Sequence, residues 1–154
     1  VRVVLAAVGK PRHAALAAAI GEYEARTAHY WPFEAHEVRE EPAKSVSADL
    51  VREREGERLA AVVPKGAHLV ACDPGGVSQS SEQFSAWLQR EREAGRDVAF
   101  VIGGAYGLSE ALRTAARTRL SLAPWTLPHE LARLVLTEQL YRAGTIVRRE
   151  PYHK

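Results

Sequence analysis

The chain has 154 residues, 46% of them apolar and 26% charged, with a net charge of +2, which suits one domain with a real core. No stretch nears the roughly 18 consecutive apolar residues of a membrane span. The opening VRVVLAAVGK lacks the apolar run and cleavage site of a signal peptide, so a soluble, cytoplasmic protein with no membrane partner is expected.

Val3 to Val8 reads as a first strand and Pro11 to about Tyr30 as an alanine-rich helix. Pro42 and the charges Arg39-Glu40-Glu41 mark the most mobile connection, between a second strand, Phe33 to Val38, and a helix from Ser45 to Val63. Ser47 is the expected N-cap of that helix. His68 to Cys72 reads as a third strand, stopped by a turn at Asp73-Pro74-Gly75-Gly76. A helix from Ser81 to Ala94 ends at Gly95. The unbroken VAFVI run, Val98 to Ile102, suits a strand buried on both faces. Ser109 caps a further helix, Leu120 to Leu122 is a short fifth strand, and a last helix runs from about Pro128 to Gly144. This alternation predicts an α/β fold in one domain, 1–154, with a mostly parallel sheet and helices on both faces.

Four segments carry possible chemistry. Ile102-Gly103-Gly104-Ala105-Tyr106-Gly107 follows the most buried strand, at the strand end where α/β sheets bind ligands. It matches neither the dinucleotide fingerprint nor the phosphate loop, which disfavours a flavin or nicotinamide oxidoreductase and a nucleoside triphosphatase. Leu120 to His129 is unusually apolar for a loop and is expected to wrap either a chain segment or a flat apolar ligand. The last helix carries two apolar stripes. One holds Leu131, Leu134 and Val135 beside Glu138 and Arg142; the other holds Ala132, Leu136, Leu140 and Ala143. One stripe can cover the sheet and the other can meet a second copy, so a homodimer is expected. Finally, Tyr152 and His153 stand in a basic tail, as either a frayed terminus or a device for stacking a base and moving a proton. Arginine makes up 17 of the 21 basic residues, which supports a nucleic-acid partner but also follows from a GC-rich genome. Cys72 is the only cysteine, so no disulfide framework forms within the chain, and no metal is expected.

Together these residues resemble the SPOUT class of methyltransferases, and within it the ribosomal large-subunit methyltransferase H family. The likeness spans the chain: Ala7-Val8-Gly9-Lys10, Cys72 to Gly76, Ile102-Gly103-Gly104-x-x-Gly107-Leu108-Ser109, Leu120-Ser121-Leu122, Thr126-Leu127-Pro128-His129, Glu138 to Ala143, and Pro151-Tyr152-His153. The resemblance implies a C-terminal deep trefoil knot, an exception to the rule against threading. It implies S-adenosylmethionine bound at Cys72, Gly103, Gly104, Ala123, Pro124, Trp125, Thr126, Leu127 and Pro128. It also implies methylation of N3 of a pseudouridine in 23S rRNA within the ribosome.

That chemistry needs in-line placement of donor and acceptor and removal of the base proton. His129, Glu138 and His153 are the candidate proton acceptors, Arg142 would stabilise charge on the base carbonyls, and Tyr152 would stack on the base. The tail is expected to act across the dimer. Members of the family often carry Pro-Glu where this chain has Ala105-Tyr106. A non-catalytic RNA- or ribosome-binding factor on the same fold is the alternative; it has no use for an apolar loop beside Gly104.

Overall fold

A computed structural model describes residues 1–153, with the backbone alone for His153. In chain order the elements are β1 (Val3–Val8), α1 (Ala14–Thr27), β2 (Phe33–Val38), α2 (Ala48–Ala61), β3 (His68–Val77) and α3 (Ser81–Glu93). They continue with β4 (Val98–Ile102), α4 (Glu110–Ala115), β5 (Thr118–Leu120), α5 (His129–Val147) and a 3-10 turn at Pro151–His153. The strands lie in the order β2-β1-β4-β3-β5, every neighbouring pair parallel. The apolar runs of β1 and β4 explain their central places: each strand is buried along its whole length, between two neighbours and two helical layers.

One face of the sheet, around Leu5 and Phe100, packs on Phe84 and Leu88 of α3 and on Leu136 and Leu140 of α5. The opposite face, around Ala6 and Val101, packs on Leu59 of α2 and Leu112 of α4. Helix α5 lies against both α1 and α3. Leu136 and Leu140 are fully buried, each worth about 2 kcal/mol of transfer from water. Polar bonds fix its rotation: the Trp31 indole donates to the Leu140 carbonyl at 3.0 Å, and the Ser85 hydroxyl to that of Ala143 at 2.9 Å. Arg133, buried on the same helix, pairs with Glu24 at 2.9 Å and Glu37 at 2.6 Å, tying α5 to α1 and β2.

The caps at Ser47 and Ser109 form as expected, each accepting an amide three residues on. Ser80 and Gln83 add a reciprocal capping box at α3. Several boundaries differ from the sequence reading. β3 does not stop at Cys72: the chain bulges through Asp73 to Gly76 and Val77 pairs again with Leu120. Gly76 permits this, since a Cβ there would lie 2.5 Å from the Arg119 carbonyl oxygen. β5 starts two residues earlier than expected and ends at Leu120. α1 begins at Ala14 rather than Pro11. α5 passes Gly144 and ends at Val147, because that glycine is a point of close approach: a Cβ would stand 2.4 Å from Tyr30. Among the described residues no helix is long and apolar enough to cross a membrane.

Candidate active site

The C-terminal ends of β3, β4 and β5 open into one cleft of about 800 Å³, within the range of small-molecule sites. Three segments wall it, Cys72 to Pro74, Ile102 to Leu108, and Leu122 to His129 without Pro124, and Arg52, Arg113 and Ala132 complete the lining. Thus Cys72, Gly103, Gly104, Ala123, Trp125, Thr126, Leu127, Pro128 and His129 line one cleft. Pro124 is exposed and is not part of the wall. Trp125, read as part of a wrapping loop, points largely outward at 79% exposure.

The glycines act first on the chain itself. The Gly107 amide donates to the Gly104 carbonyl at 3.0 Å, closing a tight turn, with Gly107 at φ +83°. A Cβ on Gly103 would stand 2.4 Å from the Gly107 carbonyl carbon. One on Gly104 would stand 3.0 Å from Glu55 Oε1 and 3.1 Å from Val8. The turn therefore folds on itself and lies flat on α2 and β1, and its backbone lines the cleft. On the β3 side, burial pushes the Cys72 thiol up to about 12. It stays protonated at neutral pH and is an apolar wall rather than a nucleophile.

A smaller cleft of about 420 Å³ adjoins the first, with Tyr106 and His129 on the rim of both. Arg12 and Glu40 pair across it at 2.7 Å. The Arg12 amide donates to the Glu130 carboxylate, which joins the β1–α1 loop to the start of α5 and holds Glu130 below the usual carboxylate range. It also gives the chain before α1 a partner outside that helix. Glu55 sits at the floor, 4% exposed. The Glu41 amide donates to its Oε2 at 3.1 Å, while Oε1 is buried with no hydrogen-bond partner among the described residues. Burial raises its carboxyl above the usual range, and the Glu41 amide opposes that rise.

The remaining candidates gather elsewhere. Arg142 forks onto Glu138 at 2.5 and 2.8 Å, and this bond raises Arg142 further above its ordinary value. The guanidinium carbon stands 5.0 Å from the centre of the Tyr152 ring, which meets Tyr141 edge-on at 4.6 Å. The Tyr152 hydroxyl lies 3.4 Å from that of Tyr23 and 3.5 Å from Glu138. Burial, then the contact with Tyr23, raises Tyr152 above an ordinary phenol. Just before it, Tyr30 donates to Glu150 at 2.5 Å, and that acceptor pushes Tyr30 up to about 12. The tail is thus seated through Tyr152 rather than frayed. The His153 side chain lies outside the described residues.

Sequence reasoning missed Glu55, Tyr23, Tyr30 and Glu150. Glu55 was findable: it interrupts the apolar stripe Val51-Glu55-Leu59 of α2 at i, i+4 spacing. The two tyrosines carry no local signal, because their partners come from the other end of the chain. Within one chain the two groups of residues do not meet. His129 and Glu138 are nine residues apart on one helix, roughly 13 Å of rise, and Arg142 is farther still.

A model of the predicted SPOUT methyltransferase family matches residues 1–153. The chain is 65% identical over 153 residues to a ribosomal RNA large subunit methyltransferase H of Gemmatimonas aurantiaca, covering 99% of both chains. It is 44% identical over 152 residues to the protein of that name from Listeria monocytogenes, covering 96% of both. Among solved structures it is similar in fold to a probable methyltransferase from Bordetella pertussis, with a TM-score of 0.54 at 15% identity, covering 92% of this chain and 93% of that one. With the family model matched along nearly its whole length and full-length relatives well above 30% identity, this chain belongs to the SPOUT methyltransferase family.

Proposed function

We propose that the protein methylates N3 of a pseudouridine in large-subunit rRNA on the assembled ribosome, in the cytoplasm, with S-adenosylmethionine as donor. The observation that carries the reading is the cleft at the ends of β3, β4 and β5, where the Gly103–Gly104 backbone meets apolar side chains and the charged groups of Arg52, Asp73 and Arg113. It fits a flat nucleoside: Cys72, Leu122 and Leu127 offer apolar contact, while the Gly103–Gly104 backbone offers amides and carbonyls at close range. When bound, S-adenosylmethionine supplies a methyl group on a cationic sulfur. The relatives named above as ribosomal RNA large subunit methyltransferases make rRNA the substrate class. We read Ser121 to Pro128, which shares the cleft with the Gly103–Leu108 turn, as the threaded part of a trefoil knot.

The chain's own task is to hold the base in line and take its N3 proton. His129 is the acceptor nearest the cleft. Glu138, Arg142 and Tyr152 form a second group suited to stack a base and stabilise charge on its carbonyls, with His153 next in sequence. Their separation from the cleft in one chain is the reason to place them over the cleft of a second copy. The outer stripe of α5 gives that copy a surface: Leu131 is 36% exposed, and Leu134 and Val135 are half-buried. Calorimetry with S-adenosylmethionine, with a flavin as control, followed by transfer assays on ribosomal particles, tests the whole reading. Binding without transfer would instead favour a non-catalytic ribosome-binding factor.

A further inference from the structure

The mechanism above has no use for Glu55, yet this residue is a buried carboxylate beside the cleft. Its carboxylate is 4% exposed, and Oε1 has no hydrogen-bond partner among the described residues. Leaving a buried charge half-satisfied destabilises a fold, and a leucine would continue the apolar stripe between Val51 and Leu59. The position is specific: Oε1 stands 3.0 Å from where a Gly104 Cβ would be, behind the turn whose other side lines the cleft. The carboxylate is therefore one backbone layer from the cleft. The charges next to it are already committed, since Arg58 pairs with Glu41 at 2.8 Å and Arg12 with Glu40 at 2.7 Å. Across the turn, this carboxylate would attract a cation in the cleft and would not attract a neutral ligand.

We propose that Glu55 is a specificity-determining residue that acts through the Gly103–Gly104 turn as the counter-charge for the cationic donor, favouring the sulfonium of S-adenosylmethionine over the neutral thioether of S-adenosylhomocysteine. This rests on the reading of the cleft as the S-adenosylmethionine site. Methyl transfer removes the positive charge from sulfur, so the same carboxylate that attracts the donor releases its hold on the product. The two ligands share every other group, and the ratio of their affinities isolates the charge on sulfur.

The test is calorimetry on the full chain with each ligand in turn. Glu55→Gln keeps the shape and removes the charge. S-adenosylmethionine should then bind about tenfold more weakly, the order expected of one unit charge at an effective dielectric of about 20. S-adenosylhomocysteine should stay within about twofold, and the ligand-free variant should melt no lower than the parent. Equal losses for both ligands, or no change in either, would overturn the proposal, since a merely structural Glu55 moves both together. Glu55→Ala, which leaves space but no charge, carries the same comparison should the glutamine chain fail to fold. A parent that binds neither ligand defeats the cofactor reading itself, which separates that failure from this one.

Discussion

The two ends of α5 hold their candidate residues in opposite ways. At its start, His129 and Ala132 border a cleft where three loops converge and the Gly103–Gly104 backbone lies in the wall. Further along, Glu138 and Arg142 use long side chains to grip Tyr152, and the surrounding tyrosines supply rings rather than space. A backbone-lined cleft suits a ligand that stays and must be enclosed. A cluster of rings and charges on a helix face suits one that arrives, stacks and leaves. The two halves should therefore fail in different assays.

The largest effect expected comes from deleting Tyr152 to Lys154. Methyl transfer to ribosomal particles should fall by at least about a hundredfold, since base positioning and proton handling are both lost. S-adenosylmethionine affinity by calorimetry should be unchanged. Loss of both together would break the division between the two ends. The reverse damage is Gly103→Ala, whose Cβ would meet Gly107 backbone at 2.4 Å and force the turn open. Cofactor affinity should drop by about tenfold or more, at a stability cost of about 1–3 kcal/mol, with the tail cluster intact. Mixing the two damaged chains sharpens the comparison: recovered transfer would put the tail of one copy over the cleft of the other, and no recovery would put the whole site in one chain.

A smaller effect should separate the two stripes of α5. Leu134→Glu on the outer stripe should convert a sedimenting dimer to monomer while the chain stays folded. Leu136→Glu instead buries a charge at a fully buried position, so it should lower the melting temperature steeply in any oligomeric state. A parent that sediments as monomer across micromolar concentrations would remove the reason for assigning Glu138 and Arg142 to a shared site.

Much of the fold was legible because its physics is local. The apolar runs of β1 and β4, the serine caps and the two stripes of α5 each declare themselves within a few residues. What was misread depends on distant partners. Asp73 to Gly76 has the composition of a turn, yet Val77 returns to Leu120 because Gly76 can lie against Arg119. Gly144 has the composition of a helix stop, yet it marks where Tyr30 crosses the helix. In the cleft, glycine spacing pointed to the right turn for an incomplete reason, since the Cβ positions face Gly107, Glu55 and Val8. The tail was the least legible part. Its order comes from Tyr23 and Tyr30, more than a hundred residues earlier in the chain.

The smallest effect asks how the tail is held. Tyr30 donates to Glu150 at 2.5 Å, two residues before Tyr152. Removing the hydroxyl with Tyr30→Phe should cost about 1 kcal/mol and lower transfer only a few-fold, because Tyr23, Tyr141 and Arg142 still seat Tyr152. The pH dependence identifies the bond. Tyr30 is held at about 12 in the folded chain against an ordinary phenol at 10.0. Its neutral form is thus favoured by folding, and its contribution is fully present below about pH 10 and lost as pH rises toward 12. Tyr152 is raised as well, so ultraviolet titration of tyrosinate should show two late-ionising tyrosines, one of which disappears in the phenylalanine variant, and the loss of stability over that pH range should become shallower. If Tyr30→Phe instead abolished transfer with cofactor affinity intact, Glu150 would be the main anchor of the tail and the cluster around Tyr152 secondary. The tail would then be positioned by the turn after α1 rather than by α5, and the contrast between the two ends of α5 would have to be redrawn.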